Sequence, residues 1–304
     1  MTEFRRIAVR KDSCLNVALA GDRRSPAVMF LHGFPESHRT WRAIAPKLAD
    51  RFYCVMPDQL GFAGSDRPQD PDDYGSDKLI ADMFEVADAL GLATFALVGH
   101  DWGGAISWAA ALKQPQRLSR LAIINAPHPY IFQKSLIEDA AQREASQYIT
   151  AFRTPGFEKA VERMGYDAFF EKSFSRHVDL ATIPETEKQQ YLADWAQPGG
   201  LTAMLNWYRG SKLIVPPPGV TIPLPSLLSH AFPKINVPTL VIWGMRDAAL
   251  LPIQLDGLDD LIDDLRIVRL PNAGHFAPWE APAAVVDALE PFLAEDAPAI
   301  APAA

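Results

Sequence analysis

Short, largely apolar runs separated by longer amphipathic stretches fill the first third of the chain, and that rhythm predicts strands alternating with helices. Residues 6–9 and 15–19 alternate about the polar turn Lys11-Asp12-Ser13 and read as an opening antiparallel hairpin. The runs 27–31, 52–56, 95–98 and 121–124 are continuously apolar, the pattern of strands covered on both faces. Between them, 41–48, 78–90 and 105–112 carry apolar residues at helical spacing. An α/β fold with a mostly parallel sheet follows. From about residue 129 to 230 the strand signal fades into polar, aromatic-rich helical segments such as 158–164 and 187–195, which predicts an inserted helical cap. The cap ends in two proline-rich stretches, 215–219 and 222–225, which exclude regular helix and central strand. Strand runs at 239–243 and 265–270 and an amphipathic helix at 283–293 then resume the core. The expected division is core 1–128, cap 129–232, core 233–296 and a small, proline-broken, flexible tail 297–304.

Composition narrows the function classes. At 304 residues, 48% hydrophobic and formally −8, the chain can bury a real core and offers phosphates no basic surface, so nucleic acid is not expected as a partner. No run of about 18 uncharged apolar residues is present, and the first residues lack a signal-peptide core, so no membrane segment is expected and the cytoplasm is the default location. Cys14 and Cys54 cannot build a disulfide framework or a four-ligand zinc site.

The most specific chemical signal is Gly99-His100-Asp101-Trp102-Gly103, which follows an apolar strand and opens a helical pattern. This is the form of a nucleophile elbow with aspartate at its centre: the turn exposes the side chain, and the helix N-terminus favours its ionised form. Aspartate is also a good helix cap, so the motif needs company. Downstream, Asp247 and His275 each stand just past a strand, in the order nucleophile, acid, base, at the crevice positions where open α/β sheets build sites. Asn125 holds the alternative acid position, but a neutral amide cannot stabilise an imidazolium by charge. His32-Gly33-Phe34-Pro35 follows an earlier strand, and the amides of Phe34 and Trp102 are placed to form an oxyanion hole. His32 and His100 read as buried scaffold.

These motifs reach a family. His32-Gly33-Phe34-Pro35-Glu36-Ser37 with Trp41, the segment 58–66, Gly99 to Gly104, Asn125-Ala126-Pro127-His128-Pro129 and Asn206-Trp207-Tyr208-Arg209 together resemble the α/β-hydrolase-fold epoxide hydrolases, over about residues 9 to 293. The resemblance implies an eight-stranded, mostly parallel sheet flanked by helices, and two cap tyrosines that donate hydrogen bonds to the epoxide oxygen. Tyr208 fits the second tyrosine motif and Tyr148, eight residues before Gly156, resembles the first; Tyr130, Tyr166 and Tyr191 are its rivals. Haloalkane and haloacid dehalogenases also use an elbow aspartate, but the arginines expected after the nucleophile of a fluoride-cleaving enzyme are absent, and Phe34 stands where a halide-binding asparagine is common. A catalytically inactive ligand-binding relative would have no use for a water-activating histidine.

A carboxylate can attack an sp³ carbon without first losing a proton, and a phenol is protonated at neutral pH yet acidic enough to assist an alkoxide. The expected reaction is therefore opening of a small apolar epoxide by Asp101, followed by hydrolysis of the ester by water that the His275–Asp247 pair activates. No His-x-x-x-His, Cys-x-x-Cys or Gly-x-Gly-x-x-Gly motif occurs, so neither metal nor cofactor is expected. Phe34, Trp102, Phe152, Trp207, Phe276 and Trp279 are expected to line the substrate pocket. The sequence does not separate monomer from homodimer.

Overall fold

The computed structural model describes residues 2–225, 228 and 232–295. Its described residues form one eight-stranded sheet from β1 (Glu3–Arg10), β2 (Ser13–Ala20), β3 (Ala27–Leu31), β4 (Tyr53–Pro57), β5 (Phe95–His100), β6 (Leu118–Ile124), β7 (Thr239–Gly244) and β8 (Leu265–Leu270). The spatial order is β1-β2-β4-β3-β5-β6-β7-β8; the β1–β2 and β2–β4 pairs are antiparallel and the others parallel.

Strand periodicity of two divides the core. Val28, Phe30, Cys54, Met56, Ala96 and Val98 face one layer, with α1 (Ala45–Leu48) and α12 (Pro282–Ala294), while Met29, Leu31, Val55 and Leu97 face the other, with α2 (Ser76–Ala89) and α3 (Trp102–Lys113). Both layers are apolar, which is why these strands read as unbroken hydrophobic runs. The helix predicted over 41–48 is instead a 3₁₀ turn, His38–Trp41, followed by the single turn α1. Pro46 has no N–H to give and is tolerated only in a helix's first turn, so the helix begins beside it.

Between β6 and β7 the chain forms α4 (Pro129–Glu138), α5 (Ala140–Ala145), α6 (Gln147–Arg153), α7 (Phe157–Met164), α8 (Tyr166–Phe174), α9 (Glu185–Trp195) and α10 (Gly200–Arg209). This helical layer docks on loops that follow the carboxyl ends of β3 and β4. The Trp195 indole N–H donates to Pro35 O at 2.9 Å, that of Trp207 to Leu60 O at 2.8 Å, and Asn206 Nδ2 to Gln69 O at 2.9 Å. The proline-rich connector is non-regular, and side chains of the helices bind its main chain: Gln147 Nε2 donates to Pro216 O at 3.0 Å and Arg143 Nη1 to Val220 O at 3.1 Å. After β8 comes the short α11 (Ala277–Glu280). The tail 297–304 lies outside the described residues, and none of their helices is long and apolar enough to cross a membrane.

Candidate active site

Asp101 stands between β5 and α3 with φ +49° and ψ −120°, a backbone conformation that an L-residue adopts only under constraint. Close packing imposes it. A Cβ on Gly103 would lie 2.1 Å from Leu31 O, and one on Gly33 would lie 2.3 Å from Asp101 Cβ, so both loops need glycine where they meet. The result is a buried carboxylate aimed at the carboxyl end of the sheet.

The Phe34 N–H donates to Asp101 Oδ1 at 2.8 Å. Trp102 is the first residue of α3, so its N–H has no partner within the helix and is free to serve the same region. The other carboxylate oxygen, Oδ2, lies 3.7 Å from His275 Nε2, too long for a hydrogen bond but close enough for strong electrostatic coupling. On the far side of the imidazole, Nδ1 is 2.8 Å from Asp247 Oδ2.

Asp247 is held at both oxygens. Oδ1 accepts the N–H groups of Ala249 and Leu250, each at 2.8 Å, and Oδ2 also accepts from Asn125 Nδ2 at 2.9 Å. Asn125, at φ +42°, in turn takes the Gly244 N–H on its Oδ1 at 2.9 Å, so this residue holds the Asp247 carboxylate from the neighbouring strand end. Burial alone would raise the Asp247 carboxyl, but the His275 charge and these donors hold it below the usual carboxylate range. Burial likewise works against a charged His275. The Asp247, Asp101 and Glu36 carboxylates outweigh it and push the imidazole up to about 9.

Behind this row sits a buried pair that the sequence reading did not connect. His100 has Nδ1 2.9 Å from Glu36 Oε2 and Nε2 2.8 Å from the main-chain oxygen of His275, so it ties the elbow to the histidine loop. Burial opposes the Glu36 charge, but the His100 partner holds its carboxyl below the ordinary range. His32 is scaffold: its Nε2 accepts the Gln59 N–H at 3.0 Å and its Nδ1 faces Gly33 O at 2.8 Å. His177, from the segment after α8, lies with its ring 5.6 Å from that of His275, and burial lowers it to about 4, so it is neutral at physiological pH.

Two phenols face this row. Tyr208 on α10 is buried, with ring contacts to Phe34 and Trp102 at 5.2 Å each, while Tyr148 on α6 keeps some accessible surface and stands 6.1 Å from the Tyr208 ring. Desolvation first, and then the charge of Asp101, push both phenols well above their ordinary value, so both are protonated donors. Of the rival tyrosines, Tyr130 packs on Phe232 and Tyr191 on Trp279.

The aromatic residues expected in the pocket wall have different surroundings. Phe152 does stand among Phe34, Tyr148 and Tyr208, with ring centroids 5.1, 5.6 and 4.9 Å away, and Phe169, which the sequence did not single out, adds an edge to Phe34. Phe276 packs against His275, with ring centroids 4.8 Å apart. Trp207 instead spends its N–H on Leu60 O and packs behind Trp102, because its helix must be anchored to the core. Trp279 lies under the Arg42 guanidinium at 3.9 Å and against Tyr191 and Phe174, a cation–π and stacking position outside the catalytic row. Among the described residues no cluster of three or more His, Cys, Asp or Glu could hold a metal ion.

Comparison with known proteins agrees with this geometry at the level of family. The sequence profile of the alpha/beta hydrolase fold matches residues 26–282. The chain is 30% identical over 311 residues to Epoxide hydrolase A of Mycobacterium tuberculosis, covering 92% of this chain and 94% of that protein. It is 32% identical over 273 residues to the AB hydrolase superfamily protein YfhM of Bacillus subtilis, covering 89% and 91%. Among solved structures, one described among novel epoxide hydrolases of this superfamily from metagenomes of hot environments is 46% identical, covers 97% of this chain and 99% of that one, and superposes with a TM-score of 0.89. An epoxide hydrolase from Bacillus megaterium in complex with an inhibitor is 27% identical, with 95% and 99% covered and a TM-score of 0.83.

Proposed function

The chain belongs to the α/β-hydrolase-fold family and, within it, to the epoxide hydrolases, and from that premise we propose that it adds water to a small apolar epoxide through an alkyl ester on Asp101. The observation that carries this reading is one carboxylate with its two oxygens in different environments: Oδ1 on the Phe34 amide at 2.8 Å, Oδ2 turned toward His275 at 3.7 Å. Oδ2 is the attacking atom. As the new bond to the ring carbon forms, the C–O bond of the epoxide breaks, and the developing alkoxide takes a proton from Tyr148 or Tyr208.

The ester carbonyl oxygen is then Oδ1, already on the Phe34 donor. Water attacks the Asp101 carboxyl carbon and gives a proton to His275 Nε2, and the negative charge collects on Oδ1, where the Phe34 and Trp102 amides meet it; one such donor is worth about a hundred- to thousand-fold in rate. Collapse of this intermediate breaks the bond to Oδ2, which leaves with the diol and recovers a proton from His275. The second water proton restores the phenol. In the resting site His275 is charged and pairs with two carboxylates. Ester formation removes the Asp101 charge, one of the factors that raise the imidazole, so His275 gives up its resting proton to solvent before it takes one from water, and it is recharged from solvent once Asp101 is again a carboxylate.

In this reading residues 129–232 act as a cap that carries the acid, and 1–128 with 233–296 as the core that carries nucleophile and base. Aromatic residues around the phenols, Phe34, Phe152 and Phe169, support an apolar substituent on the ring. The test is to mix a His275→Gln variant with styrene oxide and weigh the intact protein. A mass gain equal to one epoxide, absent in Asp101→Asn, supports the ester route. Release of halide from 1-chlorobutane in place of diol formation from epoxides would favour dehalogenation.

A further inference from the structure

We infer that Arg153 is a positioning residue that fixes the two phenols relative to each other, an inference that rests on the ring-opening role given above to Tyr148 and Tyr208. Tyr208 is secured to the core by its neighbours, since Asn206 binds Gln69 O and Trp207 binds Leu60 O, while Arg209 pairs with Glu158 of α7 at 2.7 Å. Tyr148 lies on a different helix, α6, whose last residue is Arg153. From there the guanidinium reaches across to the end of α10. Nε donates to the main-chain oxygen of Tyr208 itself at 2.9 Å, Nη1 to Leu213 O at 2.8 Å, and Nη2 to Ser211 O and Oγ at 3.1 and 2.6 Å.

Among the described residues no carboxylate hydrogen-bonds to this cation. It is half-buried, and burial lowers its pKa. A desolvated guanidinium without a carboxylate partner is a cost, offset here by the negative end of the α10 dipole and by the main-chain oxygens of Tyr208, Ser211 and Leu213 at and just past that end. The other polar link between these helix ends, Arg209 Nη2 to Thr154 O, is at 3.5 Å. Tyr148 and Phe152 stand four residues apart on the same face of α6, toward Tyr208. Arg153 thus sets the separation of α6 and α10 at the level of the phenols.

The experiment is a double-mutant cycle by rapid-quench single turnover of styrene oxide, with ring opening and ester hydrolysis timed separately. Arg153→Met should slow ring opening by about ten- to a hundred-fold, the scale of a 1 Å misplacement, and leave ester hydrolysis within threefold. In a Tyr148→Phe background the same change should cost less than threefold, because the phenol it positions is gone. Arg153→Lys, which keeps the charge and one carbonyl contact, should fall between and serves if the Met variant does not fold. Equal slowing of both steps, or an equal penalty in both backgrounds, would overturn the inference and leave the phenol roles intact. A Tyr148→Phe variant that opens the ring at the normal rate would overturn the phenol assignment and this inference with it.

Discussion

Replacing Asp247 by asparagine tests the acid more sharply than replacing it by alanine, because all four of its acceptor contacts are defined. Oδ1 receives two main-chain N–H groups and Oδ2 receives His275 Nδ1 and Asn125 Nδ2. An amide has one acceptor end. Whichever way it turns, its NH₂ faces at least one buried donor: the two main-chain N–H groups in one orientation, or Asn125 Nδ2 in the other, where a neutral His275 can accept at Nδ1. Asn125 cannot rotate to help without abandoning the Gly244 N–H. A buried donor left without an acceptor costs about 1–3 kcal/mol, so the orientation that strands only Asn125 Nδ2 predicts a loss of about 1–3 kcal/mol, to be read from urea denaturation midpoints. The substitution also removes the charge that orients His275, and in a comparable Asp–His pair such a change lowers turnover roughly ten-thousand-fold. Ring opening needs neither effect, so Asp247→Asn should accumulate the alkyl-enzyme in rapid quench while its hydrolysis falls by at least a hundred-fold. A variant that lost less than about 1 kcal/mol and hydrolysed the ester within threefold of the parent rate would refute this reasoning.

Other outcomes follow from the same geometry. Tyr208→Phe and Tyr148→Phe should each slow ring opening by about a hundred-fold, the lower end of the range for general acid catalysis, and the double variant should open no ring detectably in rapid quench. The raised His275 value gives a stability term that is complete below the ordinary histidine pKa of about 6.5 and is lost as pH rises through about 9. Denaturation of His275→Gln beside the parent should therefore show a difference at pH 6 that shrinks by pH 10; a constant difference would contradict the assignment. Gly103→Ala should fail to fold or lose the elbow, because its methyl would sit 2.1 Å from Leu31 O, and circular dichroism with a diol assay would show which.

The sheet was legible because parallel strands covered on both faces are continuous apolar runs, and the elbow because its glycines and aspartate serve one strained turn. The Asp247–His275 pair could be read from chain order and strand ends. The pocket wall was harder. An aromatic residue on an amphipathic helix shows that it is buried, not what it is buried against, so the sequence does not reveal that Trp207 bonds to Leu60 O or that Trp279 lies under Arg42. Pro46, read as part of a helix, marks where that helix begins. Glu36 stood in a motif that did not name its partner, a histidine 64 positions away, and Arg153 left no motif, because it binds main-chain oxygens, which every residue carries.

The most direct test of the covalent route is a single turnover of styrene oxide by excess enzyme in ¹⁸O-labelled water, followed by mass analysis of the peptide that contains Asp101. An ester hydrolysed at its carboxyl carbon leaves the heavy oxygen on Asp101 and sends an unlabelled carboxylate oxygen out with the diol. Label in the diol with none on Asp101 would mean that water had attacked the ring itself, and would contradict the account.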